Sequence, residues 1–174
     1  MSKKLLAFFA FLLAIPAAHA AIDETIRVKE SIEINAPADK VLALIGNYCD
    51  LGAWHPAFAK TEITGGKNNE VGATRVLTIK DGGTVNETLT AYDAAGMTMK
   101  YEITESVLPL REYRATLKVD AAGDGKCAVT WRSMFKRKDP SNPPKEGQDD
   151  KTARDLITNV FKSGLENLKK LMEK

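Results

Sequence analysis

Four polar residues in the middle of the chain carry groups that can do chemistry. Arg75, Glu87, Tyr101 and Tyr113 lie in four consecutive strand-like segments. A carboxylate can accept or donate a proton, and a guanidinium or a phenol can donate hydrogen bonds to an oxygenated molecule. Together these groups would form a binding or acid–base site, provided that they share one side of the predicted strands.

The alternation of side chains along each strand puts all four residues on the apolar side. Successive side chains of a strand point to opposite faces, so residues of equal parity share a surface. The apolar residues of the same parity are Val71, Ala73, Leu77, Ile79, Val85, Leu89, Ala91, Met97, Met99, Ile103, Ala115, Leu117 and Val119. Burying an unpaired charge costs on the order of several kcal/mol, so these polar residues need partners, a water-filled cavity or a ligand.

The sequence Asp81-Gly82-Gly83 predicts a hairpin between the strands that carry Arg75 and Glu87. In one register Arg75 lies opposite Leu89, which makes Glu87 a diagonal neighbour within reach. In the slipped register the two residues are one pair further apart. Two interpretations therefore stay open: a buried ion pair that satisfies itself, or a pair that contacts a ligand.

Periodicity and turn signals predict the elements that would position these residues. Residues 26–34 alternate apolar and polar, which predicts a first strand. The pattern then predicts a helix between Asp39 and Gly46 and a second helical turn over 47–53. Six further strands follow, over about 59–64, 71–80, 84–92, 97–103, 113–119 and 127–136. Turn residues between them predict an antiparallel meander.

The C-terminal segment predicts one long helix, from about Asp149 to Met172, with apolar residues at steps of three and four. The order of elements predicts an α+β helix-grip fold. In this fold a curved seven-stranded antiparallel sheet wraps around the long helix, and two short helices follow the first strand. Gly164 interrupts the apolar stripe, which indicates either a packing notch or room for a ligand.

Several aromatic residues are further candidates for ligand contact. Trp54 and His55 precede a proline and could form a lip over a cavity entrance or act as packing anchors. Four further residues either line the pocket or fill it as core, and we expect one of the four to touch a ligand: Trp131, Tyr101, Met97 and Met99. His55 is the only histidine after residue 20, and one imidazole makes a poor zinc site. We therefore predict no metal and no cofactor.

The N-terminus predicts export. Residues 1–20 contain two lysines, an apolar run from Leu5 to Ile15 and a closing Ala-His-Ala, which is typical of a cleaved signal peptide. Residues 21–174 would then form one periplasmic domain. The apolar run is shorter than the about 20 residues that span a bilayer, so we expect no stable membrane insertion, with a retained anchor as the alternative. The remaining chain is formally neutral, which argues against a nucleic-acid binder.

Residues 28–137 resemble the START/Bet v 1-like (SRPBCC) superfamily, and within it the polyketide cyclase/dehydrase-like group. The matching stretches are Ile34 to Val41, Trp54-His55-Pro56, Gly72 to Arg75, Asn86 to Leu89 and Leu108 to Leu110 leading to Tyr113. The resemblance implies the helix-grip fold and a cavity for a small hydrophobic or oxygenated organic ligand. The fold itself hosts carriers, receptors, cyclases and lyases.

The resemblance also implies two kinds of function. In an enzyme of this group an arginine, a glutamate and a tyrosine act inside the cavity, which would make Arg75, Glu87 and Tyr113 catalytic in a cofactor-free lyase, cyclase or isomerase. Combined with an export signal, the domain is similar to periplasmic accessory proteins of bacterial methanol oxidation. That likeness implies a binding or accessory role, with a periplasmic dehydrogenase and its cytochrome as partners.

The two cysteines, Cys49 and Cys127, allow a disulfide in an oxidising compartment. In the fold that the chain resembles, the first and last strands pair antiparallel, which would bring Cys127 near the first helices and Cys49. The alternative is two buried free thiols.

Overall fold

Seven strands, three α-helices and one 3₁₀ turn make up residues 24–174, the part of the chain that the computed structural model describes. The predicted signal peptide, residues 1–20, lies outside these residues. In chain order the elements are β1 (Ile26–Ile34), α1 (Ala38–Ile45), the 3₁₀ turn (Tyr48–Asp50), α2 (Leu51–Trp54), β2 (Phe58–Gly65), β3 (Thr74–Ile79), β4 (Thr84–Asp93), β5 (Thr98–Ser106), β6 (Leu110–Gly123), β7 (Lys126–Arg137) and α3 (Asp150–Met172).

The strands form a single antiparallel sheet in the order β1-β7-β6-β5-β4-β3-β2. The first and last strands pair as predicted, from Ile26 opposite Phe135 to Ile34 opposite Cys127. This order leaves β1 and β2 as the two edges. The predicted α+β helix-grip fold is confirmed: three helices pack with a seven-stranded antiparallel sheet, and the last helix is the long one.

Helix α3 begins with a side-chain cap and packs its apolar stripe into the core. The Asp149 carboxylate accepts hydrogen bonds from the Thr152 backbone N–H at 2.9 Å and from its hydroxyl at 2.7 Å. The buried positions follow the helical repeat: Ala153, Ile157, Phe161, Gly164, Leu165 and Leu168. The Asn167 side-chain amide donates to the Trp54 carbonyl at 2.7 Å, which ties α3 to α2. Within residues 24–174 no helix is both long and apolar enough to cross a bilayer.

Of the two alternatives for the cysteines, the structure has free thiols at Cys49 and Cys127 rather than a disulfide. Cys49 lies in the 3₁₀ turn with its Sγ 3.9 Å from the Thr61 carbonyl oxygen of β2, whereas Cys127 is paired with Ile34 of β1. Since β1 and β2 are the two opposite edges of the sheet, the two thiols lie near opposite edges. Cys127 is buried and Cys49 is partly exposed.

Candidate functional site

A buried ion pair between Arg75 and Glu87 is the centre of the candidate site. The Arg75 Nε and Nη2 atoms both donate to Glu87 Oε2, at 2.7 Å and 2.6 Å. The two residues are only 3% and 4% exposed, and Tyr101 and Tyr113 are buried beside them. The predicted inward placement of all four residues is confirmed. Which function they serve stays a prediction.

The strand register differs from both alternatives that the sequence suggested. Arg75 lies directly opposite Glu87, and the ladder continues to Thr78 opposite Thr84. The ladder between β3 and β4 therefore ends at this pair, and a hydrogen bond from the Ile79 N–H to the Gly83 carbonyl at 3.1 Å closes the connection. Ile79 is still the last residue of β3, where it pairs with Phe58 of β2. Gly82 and Gly83 have φ of +105° and +87°, which a side chain would disfavour. The direct pairing brings the two charges closer than predicted.

Tyr48 provides the remaining contacts of the Arg75 guanidinium. The sequence analysis did not identify this residue. Arg75 Nη1 donates to the Tyr48 carbonyl oxygen. The Arg75 Cζ atom also lies 4.0 Å from the centre of the Tyr48 ring and 5.2 Å from that of Tyr101, as in a cation–π contact. Tyr48 is fully buried, and its hydroxyl has no hydrogen-bond partner among the described residues. Burial raises the pKa of this phenol well above its usual value.

Tyr101 and Tyr113 belong to an aromatic cluster that extends from the ion pair to α3. Trp131 Nε1 donates to the Tyr101 hydroxyl at 2.7 Å, and its ring stacks on Phe161 of α3 with centroids 4.4 Å apart. Tyr113 lies next to Tyr101, with ring centroids 6.4 Å apart. Burial raises the pKa of both phenols, so both stay protonated at neutral pH and can donate hydrogen bonds.

His55 is buried in the core, 1% exposed, and does not form a lip. Its Nδ1 accepts from the Ala57 N–H at 3.1 Å, so the proton is on Nε2, which donates to the Val160 carbonyl of α3 at 2.9 Å. Burial lowers the pKa of His55 to about 4. Trp54 is likewise only 2% exposed. Both residues act as packing anchors, which was the alternative interpretation.

Gly164 provides the space for the His55 ring. A Cβ atom at this position would lie 2.4 Å from His55 Cδ2 and 3.1 Å from Trp131 Cζ3. The packing-notch interpretation is therefore confirmed, and the notch is occupied by the protein itself.

The interior holds no chamber of the predicted size among the described residues. The space bounded by Trp54, Arg75, Tyr101 and Trp131 has a volume of about 10 Å³, and a second void between α1 and β5 is also about 10 Å³. Each is about the volume that one water molecule requires. The prediction of a preformed cavity is wrong for this structure because aromatic side chains from α2, β7 and α3 fill the space.

The electrostatics of Glu87 reflect two opposing influences. Burial raises the pKa of its carboxyl group, and the adjacent Arg75 guanidinium works against that rise. A buried acid beside a cation is a common feature of active sites and also of structural ion pairs. Within residues 24–174 no group of three or more His, Cys, Asp or Glu side chains is arranged to hold a metal ion.

Comparisons with known proteins agree with the architecture. The family model for "polyketide cyclase / dehydrase and lipid transport" matches residues 25–173. The structure of XoxI from Bacillus cereus is 25% identical, with a TM-score of 0.74 over 85% of this chain and 96% of that chain. An uncharacterized protein from Bacillus thuringiensis is 23% identical, with a TM-score of 0.75 over 86% of this chain and 100% of that one.

More distant structures share the fold alone. The Zhui aromatase/cyclase from Streptomyces sp. R1128 is 14% identical, with a TM-score of 0.70 over 86% of this chain and 94% of that chain. The ginseng major latex-like protein 151 from Panax ginseng is 16% identical, with a TM-score of 0.68 over 85% and 97% of the two chains. No curated protein sequence matches the chain.

Proposed function

Because the chain belongs to the polyketide cyclase/dehydrase and lipid transport family, we propose that it is an exported binding or accessory protein. The observation that carries this proposal is the closed state of the polar cluster. Arg75 has its Nε and Nη2 atoms bonded to Glu87 and its Nη1 atom bonded to Tyr48, with no more than a water-sized space beside it. Such a cluster supports the fold and leaves no room for a substrate.

Ligand entry would require movement of the 3₁₀ turn. Tyr48 covers Arg75 with both its carbonyl and its ring, and it lies between the two short helices that follow β1. Displacing this turn would free one guanidinium nitrogen of Arg75. A small oxygenated molecule could then accept from Arg75 in place of the Tyr48 carbonyl.

Export and the partner are further parts of the proposal. The signal-peptide pattern of residues 1–20 supports a periplasmic location. We infer from the combination of that signal with this domain a resemblance to MxaD, a periplasmic accessory protein of bacterial methanol oxidation. We propose the same kind of role here, assisting electron transfer from a periplasmic methanol dehydrogenase to its cytochrome.

A whole-cell measurement tests this role. Deleting the gene should slow methanol-dependent reduction of the periplasmic cytochrome, and the full chain should restore the rate. A version that lacks residues 1–20 should accumulate in the cytoplasm and fail to restore it. An unchanged rate in the deletion strain would remove the methanol-oxidation role, and restoration by the leaderless version would remove the periplasmic location.

An enzymatic function is the second candidate, and the raised pKa of Glu87 is the observation that favours it. Here Glu87 would transfer a proton while Arg75 and Tyr113 orient a small oxygenated substrate. The substitution Glu87→Gln separates the two functions, since it preserves shape and removes proton transfer. Any turnover of the wild-type protein should disappear in this variant if Glu87 is catalytic. A binding protein should show a change in ligand affinity or stability only.

A further inference from the structure

The outer face of the sheet, opposite α3, carries a groove lined by cations. Arg27, Lys29, Lys100, Arg114 and Arg132 are all exposed and line a groove of about 460 Å³ together with Met134. This volume far exceeds that of either interior void. The formally neutral composition of residues 21–174 conceals this concentration of positive charge on one face.

The strand register shows that these cations form two adjacent rows across four strands. In the first row Lys29 of β1 lies opposite Arg132 of β7, and Thr116 of β6 separates Arg132 from Lys100 of β5. In the second row Arg27 lies opposite Met134, which is followed by Arg114 and then Glu102. We call this set of rows the basic groove. With strands about 4.8 Å apart, it extends about 14 Å from β1 to β5.

The cations of the basic groove are almost entirely without acidic partners. Within residues 24–174 their one ion pair is long, from Arg114 Nε to Glu102 Oε2 at 3.6 Å. Within residues 24–174, Arg27, Lys29, Lys100 and Arg132 have no salt bridge. Lys29 and Arg132 even face each other directly, and like charges opposite one another destabilise a sheet. An arrangement that lowers stability in the free protein indicates a negatively charged partner.

We propose that the basic groove docks an acidic segment of a partner protein. The cations are spread over about 14 Å, a distance that one small anion does not bridge but that an extended chain with several carboxylates does. Glutamates on one side of an extended segment repeat about every 6.8 Å, which is comparable to the spacing of the cations. Met134, 39% exposed, lies between Arg27 and Arg114 and offers an apolar contact to the stems of acidic side chains.

A planar bilayer fits these observations less well. A lipid surface would meet the tips of the long cationic side chains but would not enter a groove, whereas a peptide segment can fill it. The proposal deepens the accessory role stated above and rests on it, because it names the surface that meets the partner. Its test uses purified protein, so failure of docking and failure of the cellular role are distinguishable.

The experiment is fluorescence anisotropy with a labelled peptide of alternating glutamate and serine. Binding should be measurable at low ionic strength and should weaken strongly at about 0.3 M salt, where charges are screened within several ångströms. The variant Lys29→Glu/Arg132→Glu should weaken binding by about tenfold or more, since it places like charges against the peptide. If the first variant unfolds, the neutral variant Lys29→Gln/Arg132→Gln takes its place, and it should also weaken peptide binding.

The matched control is Lys40→Glu/Lys162→Glu, which makes the same change of net charge on exposed residues of α1 and α3. It should retain wild-type binding. Equal weakening in the control would show that only net charge matters and would overturn the proposal. No peptide binding, or binding by the wild type only to phosphatidylglycerol vesicles or to a single-stranded oligonucleotide, would overturn it as well.

Discussion

The two faces of the same sheet handle charge in opposite ways. On the inner face, Arg75 and Glu87 are buried and joined at 2.6 Å, and the Tyr48 carbonyl accepts from the third guanidinium nitrogen. On the outer face, Lys29 and Arg132 lie side by side in the open, and no carboxylate of residues 24–174 forms a salt bridge with either. The inner charges therefore have their partners within residues 24–174, whereas Lys29 and Arg132 have no oppositely charged partner there.

This difference separates stability from recognition. A buried ion pair contributes little net stability compared with an apolar pair, but loss of one partner is severely destabilising. Exposed cations contribute little to stability in either direction, yet they accelerate and orient association with an acidic partner. We therefore expect substitutions on the inner face to lower the stability of the protein and substitutions on the basic groove to change its binding.

The largest expected effect comes from breaking the inner pair. The substitution Arg75→Met should lower the free energy of unfolding by about 3–5 kcal/mol, because it leaves the Glu87 carboxylate buried without its cation. The double substitution Arg75→Met/Glu87→Leu should recover most of this loss, since it removes the remaining charge. Urea denaturation of both variants measures the difference.

The control for this prediction lies on the outer face. Arg114→Met removes an exposed arginine whose ion pair with Glu102 is long, at 3.6 Å, and it should change stability by less than about 1 kcal/mol. Similar losses for Arg75→Met and Arg114→Met would contradict the distinction between the two faces. A double variant as unstable as Arg75→Met would show that packing rather than charge holds the pair.

The next effect is a pH dependence of stability that comes from His55 on the inner face. The pKa of His55 is lowered to about 4 by burial, whereas an unfolded histidine titrates near 6.5. Between these values the unfolded chain binds the proton more readily, so stability should fall as the pH is lowered through this window. The total loss should be about 3 kcal/mol. Denaturation at several pH values should show this slope in the wild type, and His55→Gln should flatten it; an equal slope in both would assign it to other groups.

The smallest effect concerns the cross-strand cations of the basic groove. Arg132→Thr should raise the free energy of unfolding by about 0.2–1 kcal/mol, because it removes the repulsion from Lys29. The gain should shrink in high salt and in a Lys29→Thr background, where no repulsion remains. A loss of stability in low salt would mean that Arg132 has a stabilising role within the sheet.

Much of the fold was predictable because its signals are local. Alternation within single strands placed Arg75, Glu87, Tyr101 and Tyr113 inside, and the three- and four-residue steps predicted α3. The hairpin register was not predictable, since it depended on where the β3–β4 ladder ends, which is at Thr78 opposite Thr84. A shift of this kind moves a partner from a diagonal position to a directly opposite one.

The rest of the site depends on contacts between distant elements. Tyr48 meets Arg75 only because the 3₁₀ turn folds over β3, which no local pattern indicates. The filled interior requires Trp54, Trp131 and Phe161, from α2, β7 and α3, to occupy the same space. Alternation along single strands also puts Lys100 and Arg114 on the outer face, each in its own strand. The groove becomes visible only when the strand order puts β1, β7, β6 and β5 side by side.

The position of the two tryptophans has a spectroscopic consequence. Trp54 and Trp131 are the only tryptophans of the chain, both are buried, and their rings are 5.7 Å apart on the inner side of the sheet. Intrinsic emission therefore reports on this one location. A guest that displaces the turn over Arg75 should alter the emission maximum or quench it, whereas a peptide seated on the far side should leave the spectrum unchanged. A single cuvette titration can thus tell on which side of the sheet an added molecule has bound.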